Sequence, residues 1–336
     1  MKERRKVLLP QPIEDEALQM LKENNIEIVQ TPDANPETVA PLIGDVEGIV
    51  LRTGIHITRD LLDRAEKLQT ISRTGGGVDN VDVKCASEKG ILVTSSLGVN
   101  TTSVVEHSLA LILSLSKELF LMDREMRNNN FRIRYQNRPR DLREKCLGVV
   151  GYGKIGSELA ECCRGIFKMR IIAHDDYLSD EIKAKHQNTE FMSLEDLFRQ
   201  ADVISMHIPL TDETKEMIDW QYLQMMKQDA VIINTSRGGV IKEDDLVKAL
   251  SEKNIGGAGL DVFAEEPPSA DHPLLRLDNV ILTPHSAALT KECVLRMATS
   301  AVSRVLDCFN GIVPESIANP EVLSQEKWRH LKKSNQ

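Results

Sequence analysis

LGVVGYGKIGSELAECCRGIFKMRIIAHDD, residues 147–176, carries the pattern that decides the fold. A short apolar run from Leu147 to Val150 meets Gly151, and a helical pattern follows through Phe167. A second apolar run, Met169 to Ala173, then ends at Asp175. Gly151, Gly153 and Gly156 stand at G-x-G-x-x-G spacing. In a strand–turn–helix unit Gly151 permits a tight turn, Gly153 lets backbone N–H groups approach a pyrophosphate, and Gly156 lets the helix lie close on the strand. The pyrophosphate then sits at the positive helix N-terminus. Asp175 follows at roughly the twenty-residue distance where a carboxylate holds the adenosine ribose hydroxyls. Glycines in a tight turn often mean close packing alone; the flanking strands, the helix and the terminal acid make this set specific to a dinucleotide. A carboxylate repels a 2′-phosphate, and Asp176 stands where an NADP site would have a basic residue. The expected cofactor is therefore NAD.

The chain has 336 residues, enough for two domains with substantial cores. Its 41% hydrophobic and 28% charged residues are ordinary for a soluble globular protein. A formal net charge of -9 argues against a general nucleic-acid surface. The basic start MKERRK is followed by an apolar stretch that stops at Leu9, too short for a signal peptide. The apolar helix pattern from Ser108 to Leu115 is broken by Lys117 and Glu118, too soon to span a bilayer. Cys85, Cys146, Cys162, Cys163, Cys293 and Cys308 include no C-x-x-C pair, so neither a zinc site nor a redox pair is expected. Reduced thiols in a cytoplasmic protein without a bound metal is the simplest reading.

Before the glycine motif the chain alternates strand-like and helix-like pieces. Strands are expected at Lys6 to Leu9, Ile26 to Val29, Gly48 to Leu51, Leu68 to Ser72 and Ile91 to Thr94. Helices are expected at Glu14 to Asn24, Pro36 to Ile43 and Arg59 to Lys67. Such alternation with short links implies a parallel sheet covered on both faces. Ligands bind beyond the carboxyl ends of such strands. Arg52 lies at one strand exit, and Gly75, Gly76 and Gly77 lie at the next. Consecutive glycines expose N–H groups and tolerate positive φ, so this loop is either an anion-binding nest or an ordinary flexible turn.

Asn100 to Met126 reads as one long helix, with Ser103 and Glu106 at capping-box spacing. Its middle, Ser108 to Ser116, is apolar on nearly every side, which predicts burial all round, between domains and against a second subunit. The following FRIRYQNRPRDLREK holds Arg132, Arg134, Arg138, Arg140 and Arg143. It is either a solvated face or an arm that offers arginines to an anionic substrate. Beyond the glycine motif, strands are expected at Ala201 to Ile208, Ala230 to Thr235, Gly257 to Val262 and Val280 to Leu282. Helices are expected at Leu194 to Arg199, Trp220 to Met226 and Glu243 to Glu252. A helix from Leu289 to Phe309 returns the chain to the first domain. The tail from Gln325, with Lys327, Arg329, Lys332 and Lys333, is expected to fray.

Three polar residues follow strands of the second domain: Arg237 after VIINTS, Glu266 after GLDVFAE and His285 after VILTP. Hydride transfer to a 2-oxo acid needs each type. An arginine fork orients the carboxylate and polarises the carbonyl. A histidine protonates the developing alkoxide. A carboxylate bonded to that imidazole fixes its tautomer and raises its pKa. Each has a plain alternative: Arg237 as a surface turn residue, Glu266 as a solvated loop acid, His285 as a packed histidine. His207, before Pro209, is read as lining the adenine side of the crevice; His107, His174 and His272 are read as structural.

With these stretches in order, the chain resembles the D-isomer-specific 2-hydroxyacid dehydrogenases over residues 6 to 320. The resemblance rests on GGGVDNVD (Gly75 to Asp82), NTTSVVEH (Asn100 to His107), GYGKIG, HIPLT (His207 to Thr211), NTSRGG (Asn234 to Gly239), LDVFAEEP (Leu260 to Pro267) and TPH (Thr283 to His285). It implies a Rossmann NAD-binding domain, residues 100–289, inserted into a flavodoxin-like substrate domain formed by residues 1–99 and 290–336. It places the catalytic set on Arg237, Glu266 and His285. It puts the cofactor on the glycine motif with Lys154, Ile155 and Asp175, then on His207, Pro209 and Thr214, and on Thr235, Ser236, Arg237, Asp261 and His285. Asp261 is implied near the nicotinamide amide. The substrate falls to Arg52, Thr74, Gly75, Gly76 and Asn100. A homodimer built on the long helix is also implied, with neither nucleic acid nor membrane as partner.

Two departures bear on specificity. Leu97-Gly98-Val99 stands where many members have Pro-Gly before the Asn, and Phe131 takes the place of the usual Trp. Arg52 occupies a place resembling that of the phosphate-contacting arginine of D-3-phosphoglycerate dehydrogenases. With Arg132 and Arg134 it suggests a second anionic group on the substrate, as in phosphoglycerate, glycerate/hydroxypyruvate or a sulfonated or dicarboxylic analogue. The chain ends before the regulatory domain that some phosphoglycerate dehydrogenases append. The rival readings are a formate or phosphite dehydrogenase, against which Glu266 argues because formate enzymes pair the His with a Gln, and an NADH-sensing protein of the corepressor type.

Overall fold

The computed structural model describes residues 4–332; Lys333 of the basic tail and residues 1–3 of the basic start lie outside them. The chain divides into two compact units. One runs to Asn100 and resumes at Leu289; the other is Thr101–Ala288.

The first unit is built on five parallel strands: β1 (Lys6–Leu9), β2 (Glu27–Gln30), β3 (Gly48–Leu51), β4 (Thr70–Arg73) and β5 (Leu92–Ser95). Their order is β2-β1-β3-β4-β5, the flavodoxin-like arrangement. Side chains alternate across a strand, so each strand feeds two cores. Leu8, Ile49, Leu51, Ile71 and Val93 face a core closed by Val39, Ile43, Leu62 and Cys85. Val7, Leu9 and Val50 face the other, closed by Ala17 and Leu21 and by Ala298, Val302 and Val305. The last three belong to the helix Lys291–Phe309, so this face is covered by chain that follows the second unit.

The second unit holds seven parallel strands: β6 (Cys146–Val150), β7 (Arg170–His174), β8 (Glu190–Phe191), β9 (Val203–Met206), β10 (Val231–Asn234), β11 (Gly257–Leu260) and β12 (Val280–Leu282). Their order, β12-β11-β10-β9-β6-β7-β8, is the Rossmann pattern with one strand added. The same alternation sends Val150, Ile204, Ile232 and Leu260 to one core, and Leu147, Val149, Ile171, Val203 and Ile233 to the other. Both sheets are thus doubly wound and wholly parallel. Their strand order reverses between β1 and β3 in one unit and between β6 and β9 in the other, which are the places where such sheets bind ligands.

Several sequence expectations need correction. The expected helix Asn100–Met126 is two helices, Thr101–Ser116 and Leu119–Arg127. Glu118 between them is left-handed (φ 51°), its carboxylate takes the Asn137 amide, and Arg140 N–H caps the Ser116 carbonyl. Nor is the first of them buried all round within one chain, since Glu106 and Ala110 are exposed. The tail does not fray within the described residues: the buried Trp328 donates from Nε1 to the Gly90 carbonyl (2.8 Å), and Lys332 N–H bonds the Gly311 carbonyl. β8, only two residues long at the sheet edge, has no counterpart in the sequence reading. The short helices Pro36–Val39, Arg59–Asp63 and Trp220–Leu223 end sooner than periodicity suggests.

Candidate active site

At the reversal point of the second unit, β6 leads into Gly151 and β9 into His207. The three motif glycines meet three different surroundings. Gly151 has φ +89°, and a Cβ there would stand 2.7 Å from the His207 carbonyl oxygen. A Cβ on Gly156 would overlap the Gly151 carbonyl oxygen and crowd Val149. Gly153 has nothing within 4 Å and is exposed, as is Lys154, the first residue of the helix Lys154–Phe167. The packing of Gly151 and Gly156 therefore sets the turn, and Gly153 leaves open space at a helix N-terminus suited to a pyrophosphate. Ile155 packs inward on the core below. Asp175 sits beside this turn at the end of β7. Its Oδ2 accepts Tyr152 N–H (2.7 Å), and its Oδ1 accepts the N–H groups of Tyr177 (2.9 Å) and Leu178 (3.1 Å).

His207 is bonded through Nε2 to Ser205 Oγ (2.8 Å), and burial pushes its imidazole down to about 4, so it is neutral near pH 7. The loop after it is tied by Thr214, whose hydroxyl donates to the Pro209 carbonyl (2.7 Å) and accepts Thr211 N–H (2.8 Å). A cleft of about 660 Å³ opens beyond β9, β10 and β11, with Leu210, Thr211, Gly239, Glu243 and Ala264 among its walls.

The proposed acid–base pair lies at the ends of β11 and β12. His285 Nδ1 and Glu266 Oε2 are 2.7 Å apart, and Glu266 Oε1 accepts Phe263 N–H (3.1 Å). Burial pushes the Glu266 carboxyl up. The hydrogen bond and charge of His285, the Phe263 N–H and the nearby Arg237 outweigh it and hold the carboxyl below its ordinary range. Because Nδ1 is taken by Glu266, proton exchange with a substrate falls to Nε2.

His285 has φ 51° and is held there from both sides. Its N–H bonds the Asp261 carbonyl (2.7 Å), and the buried Asp261 carboxylate accepts Ser286 N–H (2.8 Å), Ala287 N–H (2.9 Å) and the Thr283 hydroxyl (2.5 Å). His107 Nε2 meets the same hydroxyl at 2.9 Å. In this arrangement Asp261 anchors the His285 turn. Arg237 follows β10 and donates to the Ser236 carbonyl (2.7 Å). Asn234 shapes its turn by accepting from Ser236 N–H and Oγ and donating to the Arg237 carbonyl. Thr235 is buried against Ser108, with their hydroxyls 3.0 Å apart. Gly238 packs so tightly on the Phe263 carbonyl that a Cβ would overlap it, which brings the Arg237 turn onto the Glu266 loop.

In the first unit, Arg52, Thr74, Gly75, Gly76 and Asn100 gather beyond β3, β4 and β5. Arg52, at the reversal point, donates to the Pro12 carbonyl (3.1 Å) and stands 3.5 Å from the Glu14 carboxylate. Thr74 N–H bonds the Leu51 carbonyl, and Ser96 N–H bonds that of Gly75. The Asn100 side chain approaches Gly76. Neither Gly75 nor Gly76 takes the left-handed conformation that a nest would use. Of the arginine run, Arg132, Arg134, Arg138 and Arg143 are exposed, while Arg140 pairs with Asp229 (2.8 Å).

Three supporting residues escaped the sequence reading as functional. Asn80 accepts from Arg73 Nε (2.7 Å) and donates to the carbonyls of Arg52 (2.9 Å) and Ile55 (2.8 Å), tying the two loops of the first unit. Thr283 links His107 to Asp261, and Asn234 builds the Arg237 turn. All three sit inside quoted motifs, and for Asn234 and Thr283 their place at strand ends was a further signal. Among the described residues no group of three or more His, Cys, Asp or Glu is arranged to hold a metal, and no helix is long and apolar enough to cross a membrane.

Comparison with known proteins gives this architecture its family. The model for "D-isomer specific 2-hydroxyacid dehydrogenase, NAD binding domain" matches residues 109–287. A glyoxylate reductase of Aeropyrum pernix is 38% identical over 95% of this chain and 97% of its own length. A D-3-phosphoglycerate dehydrogenase of Methanocaldococcus jannaschii is 36% identical over 97% of this chain. The chain spans 62% of that relative's length and 59% of that of its Archaeoglobus fulgidus counterpart. The crystal structure of D-lactate dehydrogenase from Aquifex aeolicus, complexed with NAD and lactic acid, superposes with a TM-score of 0.79 at 30% identity, covering 91% of this chain and 96% of that one. The chain belongs to the D-isomer specific 2-hydroxyacid dehydrogenase family, and its second unit is that family's NAD-binding domain.

Proposed function

We propose that this protein is an NAD-dependent dehydrogenase that interconverts a D-2-hydroxy acid and its 2-oxo acid. The observation that carries the reading is the Glu266–His285 pair at 2.7 Å, set on strand ends beside the Arg237 turn. Gly153, the helix N-terminus and Asp175 would hold NAD, which would supply or take the hydride. His285 Nε2 gives a proton to the developing alkoxide in reduction and removes it in oxidation. Glu266 fixes the tautomer and stabilises the imidazolium. Arg237 presents its guanidinium to the substrate carboxylate and carbonyl oxygen. The carboxylates of Asp175 and Asp176 favour NAD over NADP.

In the first unit, the backbone amides around Gly75 and Gly76 serve the substrate carboxylate, and Arg52 a second polar or anionic group. Glu14 already shares the Arg52 charge, which suits a modest distal group as well as a phosphate. The relatives named above, phosphoglycerate dehydrogenases and a glyoxylate reductase, bracket that range. The working form in this reading is a homodimer, supported by the exposed Leu119, Phe120, Met126, Phe131 and Tyr135. It resides in the cytoplasm, where free thiols such as its six cysteines persist.

The test is NADH oxidation at neutral pH against hydroxypyruvate, phosphohydroxypyruvate, glyoxylate, pyruvate, oxaloacetate and sulfopyruvate, with NADPH in parallel. Turnover that His285→Ala reduces by at least about 100-fold is expected. An Arg52→Ala variant that lowers kcat/KM equally with and without a distal anion would remove the second-anion reading. Silence across the panel with NADH still bound would replace the enzyme by a sensing protein. Light scattering that finds only monomers would reject the dimer.

A further inference from the structure

We propose that Glu243 and His272 form a positioning clasp for the loop that carries Glu266. The inference rests on the acid–base reading of Glu266 and His285 given above. Glu243 opens the helix Glu243–Ser251, where an acid is ordinary because it faces the positive helix end. Its neighbour Asp245 already bonds off the helix, accepting Trp220 N–H of the helix Trp220–Leu223 at 2.9 Å. Glu243 reaches off the helix in the other direction of the sequence, toward the loop that carries Glu266. Its Oε2 accepts Ala264 N–H (3.1 Å), and its Oε1 meets His272 Nε2 at 2.8 Å.

The partners of His272 fix its tautomer. Nδ1 accepts Leu274 N–H (3.3 Å), so the proton stands on Nε2 and is donated to Glu243. The ring lies edge-on to Phe263, with centroids 6.1 Å apart. Phe263 N–H in turn bonds Glu266 Oε1, and Glu266 Oε2 meets His285. The loop from Phe263 to Glu266 is therefore gripped twice: by Gly238 against the Phe263 carbonyl, on the side of Arg237, and by Glu243 at Ala264. The two clasp side chains are only 19% and 17% exposed, whereas Glu266 is 37% exposed and has water as a competing partner. A loop so open needs outside support to keep the carboxylate at bonding distance from the imidazole. Glu243 and His272 supply that support without touching the reacting atoms.

The test compares Glu243→Ala, Glu243→Gln and His272→Gln with the wild-type protein in two measurements. One is steady-state kinetics with NADH and the best 2-oxo acid. The other is the titration of the Glu266 carboxyl, followed by carbon-13 NMR without substrate. Glu243→Ala is expected to lower kcat about tenfold with NADH affinity within about twofold, because misplacing a proton-transfer pair costs rate more than binding. The Glu266 titration should rise toward its ordinary range. Glu243→Gln keeps an acceptor for Ala264 N–H, folds as the milder variant, and should lose about threefold. If the folded variants leave both kcat and the Glu266 titration unmoved, the clasp is wrong. If the loss appears in NADH affinity instead, Glu243 serves the cofactor and the clasp is again wrong. Should the wild-type protein turn over none of the panel, the dehydrogenase reading fails, while the Glu266 titration still decides the clasp.

Discussion

The two units each place a glycine-rich loop at a strand end, and the loops are glycine for opposite reasons. Around Gly151 the protein's own backbone dictates the choice. Gly151 has φ +89° and lies against the His207 carbonyl, and Gly156 lies against Gly151. Around Gly75 and Gly76 no backbone presses in that way. A Cβ on Gly75 would overlap the guanidinium of the buried Arg73, a side chain and not backbone, and one on Gly76 would find its nearest neighbour at 3.8 Å. Gly153 belongs to the first loop by sequence but to the second kind by surroundings. A glycine pressed by its own fold reports on folding; a glycine in open space reports on what must come close to it.

Substitution separates the two kinds, and the largest effect is expected where packing is tightest. Gly156→Ala should destabilise by about 3 kcal/mol, since backbone rather than a side-chain tip must move. Gly151→Ala should follow at about 2 kcal/mol from its left-handed φ and its close carbonyl. Chemical denaturation measures both, and an unchanged midpoint for Gly156→Ala would break the comparison. Gly153→Ala should keep stability within about 0.5 kcal/mol while weakening NADH binding about tenfold, read by fluorescence titration. A stability loss there would return Gly153 to the first kind. Gly76→Ala should also fold normally, leave NADH affinity unchanged and raise KM for the 2-oxo acid about fivefold. The smallest effect is a pH dependence. The folded Glu266 carboxyl lies below its ordinary range, so its contribution to stability is present above about pH 4.3 and fades as pH falls through the folded value. The stability difference between wild type and Glu266→Gln should thus be small at pH 7, because the group is partly exposed, and should vanish in acid.

Sequence patterns made most of this architecture legible because parallel strands buried on both faces read as apolar runs, as in Cys146–Val150 and Val231–Asn234. The break at Glu118 was not legible. Lys and Glu are good helix formers, and the residues that stop the helix, Asn137 and Arg140, lie about twenty positions on. The tail misled through its charges, since a single buried Trp328 anchors what the lysines suggested was loose. At the proposed site, Arg237, Glu266 and His285 stood out as candidates because their types suit the proposed reaction and they follow predictable strands. Glu243 was hidden because an acid in a first helical turn already has an ordinary explanation.

The helix Lys291–Phe309 has a consequence for synthesis. It closes the core face of Val7, Leu9 and Val50, yet it follows the whole second unit in the chain. A ribosome adding about 5–20 residues per second needs roughly ten to forty seconds between Asn100 and Phe309. For that time one apolar face of the first sheet is covered only in part, by Ala17 and Leu21, while the second unit, continuous in sequence, can fold at once. The nascent first hundred residues are therefore the part of this protein most in need of a chaperone.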